Sequence, residues 1–152
     1  MSNSKVRCAT REDVQRFVEL GLRFYEDEGK RDADPQQLVR FAITHLGGGD
    51  RIFLVAGEPV SAFICGMIAP HYFTGERTAF KTAWYALPGA RGYGAHLVRA
   101  LESWAKARGA RRIMVAARYE RTEGLLGRLH YHPLETVFTK DLPWQKQPSP
   151  SL

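Results

Sequence analysis

Apolar residues recur at helical spacing from residue 14 onward, at Val14, Phe17, Val18, Leu20, Leu22, Phe24 and Tyr25. Side chains three and four apart share one helix face, so this spacing predicts an amphipathic helix to about residue 27. Thr10 stands where it can cap that helix, with Asp13 at the third position in the manner of a capping box, and Gly29 closes it. Pro35 opens a second helical stretch, PQQLVRFAITHL, with Leu38, Phe41, Ala42 and His45 on one side. GGGD then ends the helix and turns the chain. Ahead of both helices, KVRCA reads as a short strand.

Beyond residue 50 the period shortens to that of strands. RIFLVA and VSAFICGMIA flank the turn residues GEP and predict a hairpin. The second run is apolar on both faces, as a central strand is. Gly66 within it predicts a bulge or a close approach of another backbone. TAFKTAWYAL is a fourth strand, stopped by Pro88. Next comes a helix with Leu97, Leu101 and Trp104 on one face, ended by Gly109. RRIMVAA is a fifth strand, a short helix spans roughly 122–130, and ETVFTKDL is a last strand. The order β-α-α-β-β-β-α-β-α-β requires antiparallel hairpins and a right-handed parallel crossover between the fourth and fifth strands. The prediction is an α/β fold (α+β in some schemes) with a mixed sheet and helices on both faces. Nothing splits the chain, so residues 1–144 are expected to form a single domain, with a loose Pro- and Ser-rich tail at 145–152.

Composition narrows the function. The 152 residues, 44% of them hydrophobic, suffice for one core. No apolar run approaches the roughly 20 residues that cross a membrane. MSNSKVRCATRED carries no apolar signal core, so a cytoplasmic location is expected. Cys8 and Cys65 lie in apolar strand-like segments and are expected to be reduced and buried. The formal charge is +6, and one segment accounts for the excess: Arg91, Arg99, Lys106, Arg108, Arg111, Arg112, Arg118 and Arg121 face only Glu102 and Glu120. Such a field favours an anionic partner, either a polyphosphate cofactor or a nucleic acid. The aromatics are not interleaved with this charge as in single-strand binders, which disfavours nucleic acid. His130 and His132 have no Cys or Asp at metal spacing, so no metal is expected.

The candidate chemistry sits in PGARGYGAHLVRAL, residues 88–101, where glycines lead directly into a helix. The first N–H groups of a helix lack intrahelical partners, and the helix dipole adds positive charge there. Gly92 and Gly94 remove side chains at alternate positions and Arg91 adds a cation, a combination suited to a pyrophosphate. A glycine-rich turn without a ligand is the alternative.

Strand, loop and helix together resemble the acetyl-CoA loop of the GNAT-type N-acetyltransferase superfamily, whose pattern is Gln/Arg-x-x-Gly-x-Gly/Ala. Arg91 and Gly94 match it, and His96 departs from it at the last position. LESWAKARGARRIMV and LLGRLHYHPL also resemble that family's segments, and the likeness runs from about residue 5 to 142. It implies a mainly antiparallel sheet of six or seven strands. It implies acetyl-CoA as cosubstrate, its pyrophosphate on the backbones of Arg91, Gly92, Tyr93, Gly94, Ala95 and His96. The pantetheine arm would pair with Ala86 and Leu87. The acceptor would be an amine of a small molecule or protein, lined by Phe24, Tyr25, Glu26 and Glu28, and a homodimer is implied by resemblance alone. The tyrosine that often protonates the thiolate falls on Leu126 here, with His130 at the family's closing glycine. Tyr119 and Tyr85 are the substitute candidates. A non-catalytic binding module of the same fold is the competing reading.

Overall fold

The computed structural model describes residues 6–27 and 33–143. They fall into two compact units, one ending at Ala117 and one beginning at Arg118.

The first unit holds a five-stranded sheet in the order β1 (Val6–Cys8), β2 (Arg51–Ala56), β3 (Ala62–Pro70), β4 (Arg77–Ala86) and β5 (Arg112–Met114). The first four strands run antiparallel in sequence order, and β4 pairs with β5 in parallel. α1 (Val14–Asp27) and α2 (Pro35–Leu46) connect β1 to β2, and α3 (Tyr93–Ala107) connects β4 to β5. Ahead of α1, Asp13 accepts the Thr10 N–H at 2.8 Å and is gripped by Arg7 through two bonds of 2.8 and 2.9 Å. Asp34 caps α2 by accepting from the N–H of Gln36.

Alternation along the central strands builds two cores. Phe53 and Val55 of β2 and Phe63 and Cys65 of β3 meet Phe17 and Leu20 of α1 and Ala42 of α2. The Phe17 ring is edge-on to Phe53 and Phe63, with centroids 5.0 and 4.8 Å away. The opposite parity of β3 faces α3, where Ile68 joins Ala79 and Ala105. Gly66 is required on that side: a β carbon would stand 2.6 Å from Leu101 Cδ1 of α3 and 3.2 Å from the Phe80 carbonyl oxygen. The close approach is what Gly66 serves; the register does shift between Cys65 and Gly66, but β3 itself carries no extra residue there.

Two expectations are corrected. ETVFTKDL forms no strand, so the described residues hold five strands rather than six or seven. Its alternation had suggested an extended segment, but a strand also needs a partner edge, which alternation does not specify. Cys65 is buried, whereas Cys8 on the short β1 is exposed. Glu28 and Gly29, and the tail at 145–152, lie outside the described residues.

The second unit carries α4 (Glu120–Arg128). It ends in a Schellman motif: Tyr131 N–H reaches the Leu126 carbonyl at 2.9 Å and His130 N–H the Gly127 carbonyl at 3.0 Å. His130 takes the left-handed position, with φ of 70°, where glycine is usual.

Candidate active site

The end of β4 leads into the glycine segment through one tight turn. Leu87 N–H donates to the Ser61 carbonyl at 3.0 Å, and Ala90 N–H returns to the Leu87 carbonyl at 2.8 Å. Pro88 pre-sets the turn, which spans Pro88–Ala90. Arg91 and Gly92 already hold helical torsions, and α3 proper starts at Tyr93. Gly94 N–H is engaged by the Arg91 carbonyl at 3.0 Å. Among the described residues, no backbone acceptor takes the N–H of Gly92, and the N–H groups of the first helical turn, from Tyr93 on, lie where intrahelical partners are lacking. These groups stand at the positive end of a four-turn helix, and Arg91 beside them is exposed.

Gly92 itself is informative. Its φ of −61° suits any residue, and a β carbon there would meet nothing within 4 Å. A β carbon on Gly89 would likewise meet open space. Packing within the protein asks for glycine at neither position. What the missing side chains leave is clear access to the helix start, which is what a phosphate needs. Ala95 is half-buried, and His96 is exposed on the first turn of α3.

β4 parts from β5 halfway along its length. Only Thr78, Ala79 and Phe80 pair with β5, whereas pairing with β3 continues to Ala86. At the divergence Cys65 faces Ala83 and Gly66 faces Lys81, so Thr82 is the extra residue of the bulge. A bulge bends and over-twists its strand, and here it turns β4 away from its neighbour. Since Leu87 N–H points at β3, antiparallel alternation leaves the backbone groups of Trp84 and Ala86 toward the open edge. The free backbone is thus at Trp84 and Ala86 rather than at Ala86 and Leu87. Only the register, set by the neighbouring strand, reveals Trp84.

On the α1/α2 face, Phe24, Tyr25 and Tyr85 come together. Phe24 is edge-on to both tyrosines, with centroids 5.6 Å from Tyr25 and 5.2 Å from Tyr85. The Tyr85 hydroxyl donates to Asp27 Oδ2 at 2.7 Å. Burial and that bond to a carboxylate push the Tyr85 pKa up to about 12. Asp27, unremarked in the sequence, lies three residues beyond Phe24 and so on the same side of α1. Glu26 is exposed. Further along β4, the Thr82 hydroxyl lies 2.9 Å from Nε2 of the buried His45, whose Nδ1 is 2.9 Å from the Phe41 carbonyl oxygen. Burial holds the His45 pKa below its ordinary value.

Tyr119 precedes α4 in the second unit, and the Arg121 guanidinium lies 4.4 Å from its ring centroid. Leu126 is buried within that helix.

A sequence profile of the Acetyltransferase (GNAT) family matches residues 14–130. No curated protein matches the sequence significantly. Among solved structures, an integron cassette protein from the mobile metagenome of Cole Harbour Salt Marsh superposes with a TM-score of 0.78 at 20% identity, covering 92% of this chain and 91% of that one. A putative acetyltransferase from Arthrobacter sp. FB24 gives 0.71 at 21% identity, over 93% and 94% of the two chains. A predicted acetyltransferase from Clostridium acetobutylicum, solved with acetyl-CoA, gives 0.72 at 21% identity, over 90% and 94%. At these identities the structures testify to the shared fold. Among the described residues, no helix is long and apolar enough to cross a membrane.

Proposed function

Because the chain belongs to the Acetyltransferase (GNAT) family, we propose that it transfers an acetyl group from acetyl-CoA directly to a primary amine of a small molecule or protein. The observation that carries this reading is the bare start of α3, where the Gly92 N–H lacks a backbone acceptor and the missing Gly92 side chain leaves the approach to the first helical N–H groups open. Those groups and Arg91 hold the pyrophosphate, and the loop continues through Gly94, Ala95 and His96. Trp84 and Ala86 offer the strand edge along which an amide-bearing arm pairs. A strand N–H at that edge also serves the thioester oxygen as it gains charge.

The acceptor lies on the α1 side. Phe24, Tyr25 and Tyr85 supply apolar wall, and Asp27 supplies the negative charge that attracts an ammonium group. Tyr85 keeps its own proton and donates it in a hydrogen bond to Asp27, so it shapes this wall rather than feeding a proton to the thiolate. Much of the acceleration comes from holding amine and thioester together, an effect worth about 7–11 kcal/mol in well-oriented pairs.

Titration calorimetry with acetyl-CoA, followed by a thiol-release assay over a panel of amines, tests the proposal. Binding with release of one thiol per acetylated amine is the expected result, and a wild-type protein that ignores millimolar acetyl-CoA overturns it. The burial of Leu126 at the tyrosine position favours one competing reading, a module that binds the coenzyme without turnover. That reading predicts calorimetric heat and no thiol.

A further inference from the structure

We propose that the Thr82 hydroxyl takes the proton from the attacking amine and relays it to His45. This rests on the acetyltransferase reading and adds the proton acceptor that reading lacks.

Position comes first. Thr82 is the bulged residue of β4, at the point where the strand leaves β5 and its edge opens. A pyrophosphate at the start of α3 lies just beyond the end of β4. A pantetheine arm contains two amide units and extends about as far as four extended residues, roughly 13 Å. Laid back along β4 from Ala86, it brings a thioester beside Thr82.

Chemistry comes second. The Phe41 carbonyl can only accept, so at 2.9 Å it requires the proton of a neutral imidazole to sit on Nδ1. Nε2 is then bare and accepts the Thr82 hydroxyl proton at 2.9 Å. This leaves the lone pairs of Thr82 Oγ1 to receive an amine N–H. A hydroxyl bound to an imidazole that a third group orients is the arrangement by which proteins move protons at neutral pH. Burial disfavours the charged imidazolium, so the resting ring is neutral and its Nε2 lone pair is unprotonated. The charges around it are few. Arg51 of β2 also disfavours its protonation, Arg40 on α2 is turned to Gln37, and on β4 Lys81 precedes Thr82 while the Tyr85–Asp27 pair follows.

The step balances. The amine lone pair forms the N–C bond to the thioester carbonyl. One amine proton passes to Thr82 Oγ1 as the hydroxyl's own proton passes to His45 Nε2. The C=O re-forms, the C–S bond breaks and its electron pair leaves on sulfur. The imidazolium then returns the proton through Thr82 to the thiolate. Thr82 is the catalytic residue, and His45 acts through it as a positioning residue and proton reservoir.

The experiment combines imidazole ¹⁵N NMR with kinetics. At about pH 7.5 we expect His45 as the Nδ1–H tautomer with Nε2 unprotonated, and a proton found on Nε2 overturns the relay whatever the activity. With an amine that is turned over, Thr82→Val should lower kcat by roughly 10²-fold and leave acetyl-CoA affinity within about threefold, with Thr82→Ser restoring most of the rate. The acid limb of kcat/KM should follow the His45 titration seen by NMR and vanish in His45→Gln. An unchanged Thr82→Val rate overturns the relay alone, as does a protein that binds acetyl-CoA but turns over no amine. Failure of wild-type protein to bind acetyl-CoA instead overturns the parent reading.

Discussion

Gly92 separates what the protein needs from what a ligand needs. Its torsions are helical and its surroundings empty, so Gly92→Ala should stabilise the fold by about 0.4–1 kcal/mol by reducing the freedom of the unfolded chain. The same methyl group should weaken acetyl-CoA binding about tenfold or more, because it stands over the helix N–H groups. Chemical denaturation and calorimetry on one preparation check both signs. His45 gives a second test. Its folded pKa lies below the ordinary value near 6.5, so the unfolded chain binds the proton more readily. The stability this contributes is present above the ordinary value and is lost as pH falls through the folded one. Urea melts between about pH 7.5 and 5 should show wild-type stability declining and His45→Gln following a flatter line. His45 could be placed on one face of its helix from sequence, but its bond to Thr82 joins positions 37 residues apart and leaves no local trace.

At the scale of elements, the two irregular positions carry opposite expectations. His130 holds a left-handed torsion that L side chains adopt at a cost of roughly 1–2 kcal/mol. His130→Gly should raise stability by about 1 kcal/mol, read as a thermal shift of α4 ellipticity. Gly66→Ala should lower it by about 1–3 kcal/mol, because the added carbon meets Leu101 and the Phe80 carbonyl. The role of Gly66 was legible, since a glycine inside an apolar strand has few other reasons to be there. The helices and the hairpin were legible for a similar reason, their periods being local. The bulge at Thr82 was not: threonine suits any strand, and the offset appears only when β4 is counted against β3. ETVFTKDL shows the converse, a strand-like pattern that forms no strand.

For the whole molecule, charge and ligand binding act together. The basic residues of the 91–121 segment are exposed, and they run from the helix whose start is the proposed anion site through β5 to the first turn of α4. Affinity for acetyl-CoA should fall as salt rises from about 0.05 to 0.3 M, since the Debye length shrinks below about 10 Å over that range. At a hundredfold excess over Kd, acetyl-CoA should add about 2.7 kcal/mol of stability. For a chain of this size that is roughly 5–10 °C in Tm, readable by scanning calorimetry. The half of β4 that leaves β5 has one more consequence, for handling. An uncapped stretch of peptide groups welcomes any extended chain, a neighbouring molecule's included. Concentrated stocks without coenzyme should therefore scatter more light on standing than stocks kept with it, and purification in the presence of CoA becomes the practical choice.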